Sequence, residues 1–136
     1  MAHRISLIEG SSVSQETVRR VQEFSQGYQR ILVCLDSDHT HEHVLAELEA
    51  YAPLTSSGSY CCVFDTVIED LPPDSHPNRR WGPGNNAKTA VHEYLRVLKD
   101  EGRVGRDGAP LSLEIDKSID TRLLITVAPD GYLKRL

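Results

Sequence analysis

The sequence predicts an α/β domain organised around a buried sheet, and three observations carry this. Two apolar runs without alternation, 31–35 and 60–64, read as strands buried on both faces. Each run stops at an aspartate, Asp36 and Asp65. Between them, 39–52 carries Val44, Leu45, Leu48, Tyr51 and Ala52 on one stripe, which is the period of an amphipathic helix. Strand, helix and strand joined by short connections favour a parallel, right-handed, doubly wound sheet.

The remaining elements follow in order. Residues 5–8 read as a short apolar strand that ends at Glu9-Gly10-Ser11-Ser12, and Ser12 with Gln15 fits a capping box for a helix carrying Val18, Val21 and Phe24. Gly27 ends that helix. Pro53 and the Ser56-Ser57-Gly58 turn break the second helix. Residues 67–86 hold four prolines, two glycines and the single tryptophan, the signature of a binding loop or lid. Asn85 or Asn86 caps a third helix built on Ala90, Val91, Tyr94, Leu95 and Leu98. A polar connection over 100–110 precedes two predicted strands, 111–115 and 123–127. Tyr132 and Leu133 extend a closing strand after the Pro129-Asp130-Gly131 turn.

Size and charge exclude several classes. At 136 residues the chain is one domain, 1–136, short for a complete nucleotide-binding enzyme. Net charge is −5, which argues against a nucleic-acid binder. No apolar run reaches the length of a membrane span and no signal peptide is evident, so a cytoplasmic protein is expected. Three cysteines, Cys34, Cys61 and Cys62, make no disulfide framework and read as small buried hydrophobes.

The two strand tips are the candidate site. Ligands of open α/β sheets bind at the carboxyl edge. If the two strands are neighbours, Asp36 and Asp65 share one crevice and suit a hard divalent cation such as Mg²⁺, with Glu69 or Asp70 as a further oxygen. Ser37 or Asp38 is expected to cap the helix that follows. His39 stands at the helix mouth beside Asp36, as a general base or polar substrate contact. His39, His41 and His43 loosely resemble a zinc-hydrolase spacing, but residues 39 and 43 share a helical face while 41 does not. His41 and His43 therefore read as a solvated face. Trp81, in the loop 80–86, either covers a substrate or plugs the core edge.

Several of these segments, taken together and in order, resemble the cephalosporin hydroxylase / rhamnosyl O-methyltransferase family. They are Glu9-Gly10-Ser11-Ser12, DSDHTHEHVLAELEAYAPL at 36–54, FDT at 64–66, WGPGNN at 81–86 and LITVAPDGYLKR at 124–135. The segment from Lys99 to Pro110 looks like an insertion. The resemblance implies S-adenosylmethionine as methyl donor, often with Mg²⁺, and a small-molecule acceptor bearing a hydroxyl, such as a sugar or another natural product. It implies a three-layer Rossmann-like sheet of order 3-2-1-4-5-7-6. Asp36 would end strand 4 as a metal ligand close to the donor, and Asp65 would end strand 5 as a second ligand. Phe64 stands where family members often carry a further acid. Ser11 or Ser12 would lie beside the adenine.

Matched to that family, the chain starts at the third strand. The first two strands and the glycine-rich loop that holds the methionine part of the cofactor are not in it. The expectation is a partial methyltransferase-like domain, truncated at the N-terminus, with an incomplete sheet that a missing N-terminal half or a second copy would complete. The alternative expectation is a non-catalytic remnant or assembly module that pairs through that sheet.

Overall fold

The computed structural model describes residues 4–136. The chain runs α1 (Gln15–Ser25), β1 (Val33–Leu35), α2 (His41–Tyr51), β2 (Tyr60–Val63), α3 (Ala87–Glu101), β3 (Leu113–Ile115), α4 (Lys117–Arg122) and β4 (Tyr132–Arg135), with 3-10 turns at Ala52–Leu54 and Thr66–Asp70. The four strands form one sheet in the order β1-β2-β4-β3. β1 and β2 are parallel, while β4 is antiparallel to both β2 and β3. The sheet is therefore mixed, which corrects the fully parallel expectation: β4 returns along β2 and inserts between β2 and β3. This order reproduces positions 4-5-7-6 of the one the resemblance implies.

The core lies on one face of this sheet. Val33, Leu35, Cys61, Val63 and Leu133 point to it and meet Val44, Leu48, Ala90, Val91 and Tyr94 from α2 and α3. α2 earns its place through the stripe at Val44, Leu48 and Tyr51, and α3 through Ala90, Val91, Tyr94 and Leu98. The opposite face carries Cys34, which is exposed, and Tyr60, Cys62, Tyr132 and Lys134, which are half-buried. Segment 116–126 reaches that face through hydrogen bonds from the Tyr60 hydroxyl to Asp116 and between the Thr126 and Tyr132 hydroxyls. Cys34 therefore departs from the buried role expected of all three cysteines. Cys61 is buried, and that burial raises its thiol pKa well above the usual range. Half-burial beside Cys34 pushes Cys62 up to about 11.

Two predicted strands are absent. Residues 5–8 are irregular, with Ile5 and Leu7 exposed, because no strand among the described residues pairs with them. Residues 123–127 form an exposed loop after α4, and Leu124 and Ile125 face solvent. α4 itself was not expected; Asp116 starts it by accepting from the backbone N–H and the hydroxyl of Ser118. At α1 the N-cap is Ser14, which accepts from the N–H of Thr17, not Ser12. None of the described helices is long and apolar enough to cross a membrane.

The sheet closes through two tight approaches. Arg135 is fully buried and donates to Asp107 at 2.6 Å and to the carbonyl of Thr55 at 2.5 Å. Its guanidinium lies where a Cβ on Gly105 would stand. At the other end of β4 the turn 128–131 presses on β2. The N–H of Val63 donates to the carbonyl of Gly131 at 2.8 Å, and a Cβ on Gly131 would sit 2.1 Å from the carbonyl oxygen of Val63. Gly131→Ala is expected to destabilise the protein by ~2 kcal/mol or more, because backbone has to move against backbone. Urea unfolding followed by circular dichroism measures it, and an unchanged midpoint would contradict this packing.

Candidate functional site

Parallel pairing brings the two strand tips together. Val33, Cys34 and Leu35 lie opposite Cys61, Cys62 and Val63. The ladder continues one step further, where the N–H of Phe64 donates to the carbonyl of Leu35 at 3.0 Å. Asp36 and Asp65 thus leave the sheet side by side. Asp65 has φ 56°, in the left-handed region that aspartate tolerates better than most residues. This turns the chain sharply into the 3-10 segment Thr66–Asp70.

Asp36, His39 and Asp65 each offer a ligand atom, and these atoms lie within 4.8 Å of one another. The Nε2 of His39 is 3.1 Å from Oδ2 of Asp65. The structure therefore brings together Asp36, Asp65 and His39, the three residues singled out at the strand tips. Two carboxylates and an imidazole can hold a divalent cation, with water and substrate in the remaining positions. Glu69 and Asp70 take no part. Glu69 accepts from the N–H of Gly84 and the amide of Asn86, and Asp70 pairs with Lys88. Both tie the 3-10 segment to the start of α3.

The loop around the cluster is shaped by short polar contacts. Asp38 accepts from both the N–H and the hydroxyl of Thr40, which holds its carboxyl below the usual carboxylate range. Neither Ser37 nor Asp38 caps α2 directly. Thr40 occupies the N-cap position without a side-chain cap, and the first N–H of α2, that of His41, donates to the side-chain oxygen of Asn85 at 3.0 Å. Asn86 caps α3 in a capping box with Thr89. The two adjacent asparagines thus start two helices. Trp81, just before them, is half-buried and meets His39 and His76 edge-on, at centroid distances of 5.8 and 5.0 Å. It stands as one wall of the cluster.

The three histidines of 39–43 diverge. His39 turns to Asp65, His41 to Thr89 and Glu93, and His43 to Ser12, Ser37 and Glu47. They do not converge on one ion, which overturns the zinc-hydrolase arrangement. His41 and His43 are half-buried rather than a solvated face. Of the two serines expected beside the donor, Ser11 is exposed and gives its carbonyl to the N–H of Ser14, while the hydroxyl of Ser12 lies 3.0 Å from Nε2 of His43. The carboxylate of Glu47, buried at the heart of this second cluster, was not singled out from sequence. Its position on the stripe of Val44, Leu48 and Tyr51 was the available signal.

Asn85→Ala removes the acceptor for the first N–H of α2 and is expected to cost ~1 kcal/mol of stability. A chemical denaturation curve checks this, and loss below the error of the midpoint would remove Asn85 from the helix entry.

The family model for rhamnosyl O-methyltransferase/CmcI matches residues 1–136. Rhamnosyl O-methyltransferases of Mycobacterium tuberculosis (strain ATCC 25618 / H37Rv) and Mycobacterium bovis (strain BCG / Pasteur 1173P2) are each 30% identical to the chain over 133 residues, covering 96% of it and 47% of the relative. The protein of the same name from Mycobacterium leprae (strain TN) is 29% identical over 133 residues, covering 96% of the chain and 50% of the relative. The chain spans about half the length of these curated relatives. No solved structure matches it. The match along the whole chain, on the segments that form the strand tips and the two helix starts, makes it a member of the rhamnosyl O-methyltransferase/CmcI family.

Proposed function

We propose that the chain carries the cation-side and acceptor-side residues of an S-adenosylmethionine-dependent O-methyltransferase acting on a sugar hydroxyl. The observation that carries this is the meeting of Asp36, His39 and Asp65 at two adjacent parallel strand tips. The family supports methyl transfer, and the relatives' printed name supports a rhamnosyl acceptor. A cytoplasmic location is part of the same proposal and agrees with cysteine use.

In this reading Asp36 and Asp65 hold a divalent cation, for which their oxygens are suitable donors. When bound, that cation supplies positive charge that orients the acceptor hydroxyl and makes it more acidic. Carboxylate oxygens of this kind accept Mn²⁺ as well as Mg²⁺. His39 takes the hydroxyl proton, and Asp65, 3.1 Å from its Nε2, steadies the imidazolium that results. The acceptor oxygen then attacks the sulfonium methyl carbon in line. An O–C bond forms, the S–C bond breaks, and its electron pair stays on sulfur as neutral S-adenosylhomocysteine. Trp81 beside His39 excludes water and offers a flat apolar surface to one face of a sugar ring. Positioning is the main contribution expected of these groups.

Trp81 is the single tryptophan, so its fluorescence reports on this cluster alone. Mn²⁺ is expected to quench it at saturating binding, and Asp36→Asn and Asp65→Asn should each weaken the quenching titration by ~10-fold or more. Methyl transfer from labelled S-adenosylmethionine to a methyl rhamnoside should fall at least ~100-fold in His39→Ala. Equal quenching in wild type and both aspartate variants would overturn the cation site. Transfer that survives His39→Ala would overturn the base.

A further inference from the structure

Two of the three cysteines stand side by side on the open face of the sheet. Cys34 on β1 and Cys62 on β2 are register partners in the parallel ladder. Burial alternates along both strands, with Val33, Leu35, Cys61 and Val63 turned to the core and Cys34 and Cys62 turned away from it. Cys34 is exposed, Cys62 is half-buried, and both are free thiols. After burial itself, the Cys34 thiol is the next cause that raises the pKa of Cys62, so the two side chains are close neighbours. A buried cysteine is explained by packing, but neither of these fills the core. The cation cluster uses neither sulfur.

The geometry permits a bond between them. Neighbouring strands lie ~4.8 Å apart, inside the range of roughly 4.4 to 6.8 Å between Cα atoms that a disulfide spans. A disulfide draws its Cβ atoms to about 4 Å, so closure asks β1 to approach β2 by under about 1 Å. β1 is free to do this. It is an edge strand of three residues, and among the described residues β2 is its single neighbour in the sheet. Residual strain makes such a bond easy to reduce, which suits a reversible couple better than a permanent crosslink. Cys61 takes no part, because it follows on the same strand as Cys62 with the opposite orientation and is fully buried.

We propose that Cys34 and Cys62 form a reversible dithiol–disulfide couple that closes by exchange with a small-molecule disulfide of the glutathione class and clamps the edge strand β1 to β2. Exposure makes Cys34 the point of entry. Its thiolate attacks one sulfur of the small disulfide. That S–S bond breaks, and the first small thiol leaves with the bonding electrons and a proton. The Cys62 sulfur then attacks Sγ of Cys34, and the second small thiol leaves with the electron pair and the Cys62 proton. Two cysteine thiols are oxidised by two electrons, and one small disulfide is reduced to two thiols. In a reducing compartment the bond is transient. The clamp falls just below the site, since Asp36 and Asp65 follow Cys34 and Cys62 by two and three residues.

Treating the reduced chain with excess oxidised glutathione, quenching with acid and mapping the digest by mass spectrometry tests this. The expected product is a Cys34–Cys62 crosslink with the Cys61 thiol free, and reduced glutathione should reopen it. Cys62→Ser should stop at one glutathione adduct on Cys34, and Cys34→Ser should give no crosslink. Without added thiol, the closed form should unfold ~5 °C later than the reduced form, a shift absent from Cys34→Ser treated in the same way. A lasting glutathione adduct on wild-type Cys34, a Cys61–Cys62 bond or a dimer linked through Cys34, in place of the crosslink, would overturn the couple. A crosslink that leaves the unfolding temperature unchanged or lower would overturn the clamp. Neither readout involves a metal or a methyl donor, so this inference and the proposed function stand or fall separately.

Discussion

The parallel ladder between β1 and β2 is the constraint on which the rest depends. In a parallel pair the strand ends lie at one level, so whatever follows each strand is delivered to one edge of the sheet. Here the last ladder bond runs from the N–H of Phe64 to the carbonyl of Leu35, and the next residue on each chain is an aspartate. The separation of Asp36 from Asp65 is therefore a property of the register. A slip of one residue would move Cys61 and Val63 from the core face to the open face and carry the tips apart. The apolar packing of α2 and α3 on that face thus guards the geometry of the polar site above it.

The helix entries form a second layer of control. α2 begins at His41 and α3 at Ala87, and both starts are tied to the short stretch 85–86. The side chain of Asn85 reaches across to α2, and that of Asn86 folds into α3. His41 adds a hydrogen bond to Thr89, the same hydroxyl that closes the α3 capping box. Both helices thus start at one polar junction, and the loop holding His39 is held from both sides. Trp81 lies on the same stretch, so its placement against His39 follows from the caps and not from core packing.

Local chemistry made much of this readable in advance. Continuous apolar runs ending in Asp36 and Asp65 announced the two strands and the edge they share, although burial on both faces did not follow, since Leu32 and Cys34 are exposed. The periodicities of α2 and α3 and the Asn86 cap were legible for the same reason: each is decided within a few residues. The misreadings share a different cause. Residues 5–8 and 123–127 have strand-like composition, yet strands exist only where a partner offers hydrogen bonds, and composition does not show partners. The exposure of Cys34 likewise depends on what covers the second face of the sheet. The fates of His41 and His43 were hidden because their partners, Thr89 and Ser12, come from distant segments.

Glu47 shows how such a hidden site can still be approached. Counting from Val44 by three, four and seven gives Glu47, Leu48 and Tyr51, all buried, so the helical period alone places a carboxylate inside. A charge at a core position signals a compensating partner, and the nearest helical neighbour one turn earlier is His43. What period cannot supply is the pair of serines that complete the cluster, one before α1 and one after β1. They meet because the loop before α1 is pinned to α2, where the Tyr51 hydroxyl donates to the carbonyl of Ser12. The same helix therefore sets both polar clusters. Its first turn follows the loop that carries His39 to Asp36 and Asp65, and its later turns hold His43 and Glu47 beside Ser12 and Ser37. One rigid helix spanning both clusters fixes the distance between them.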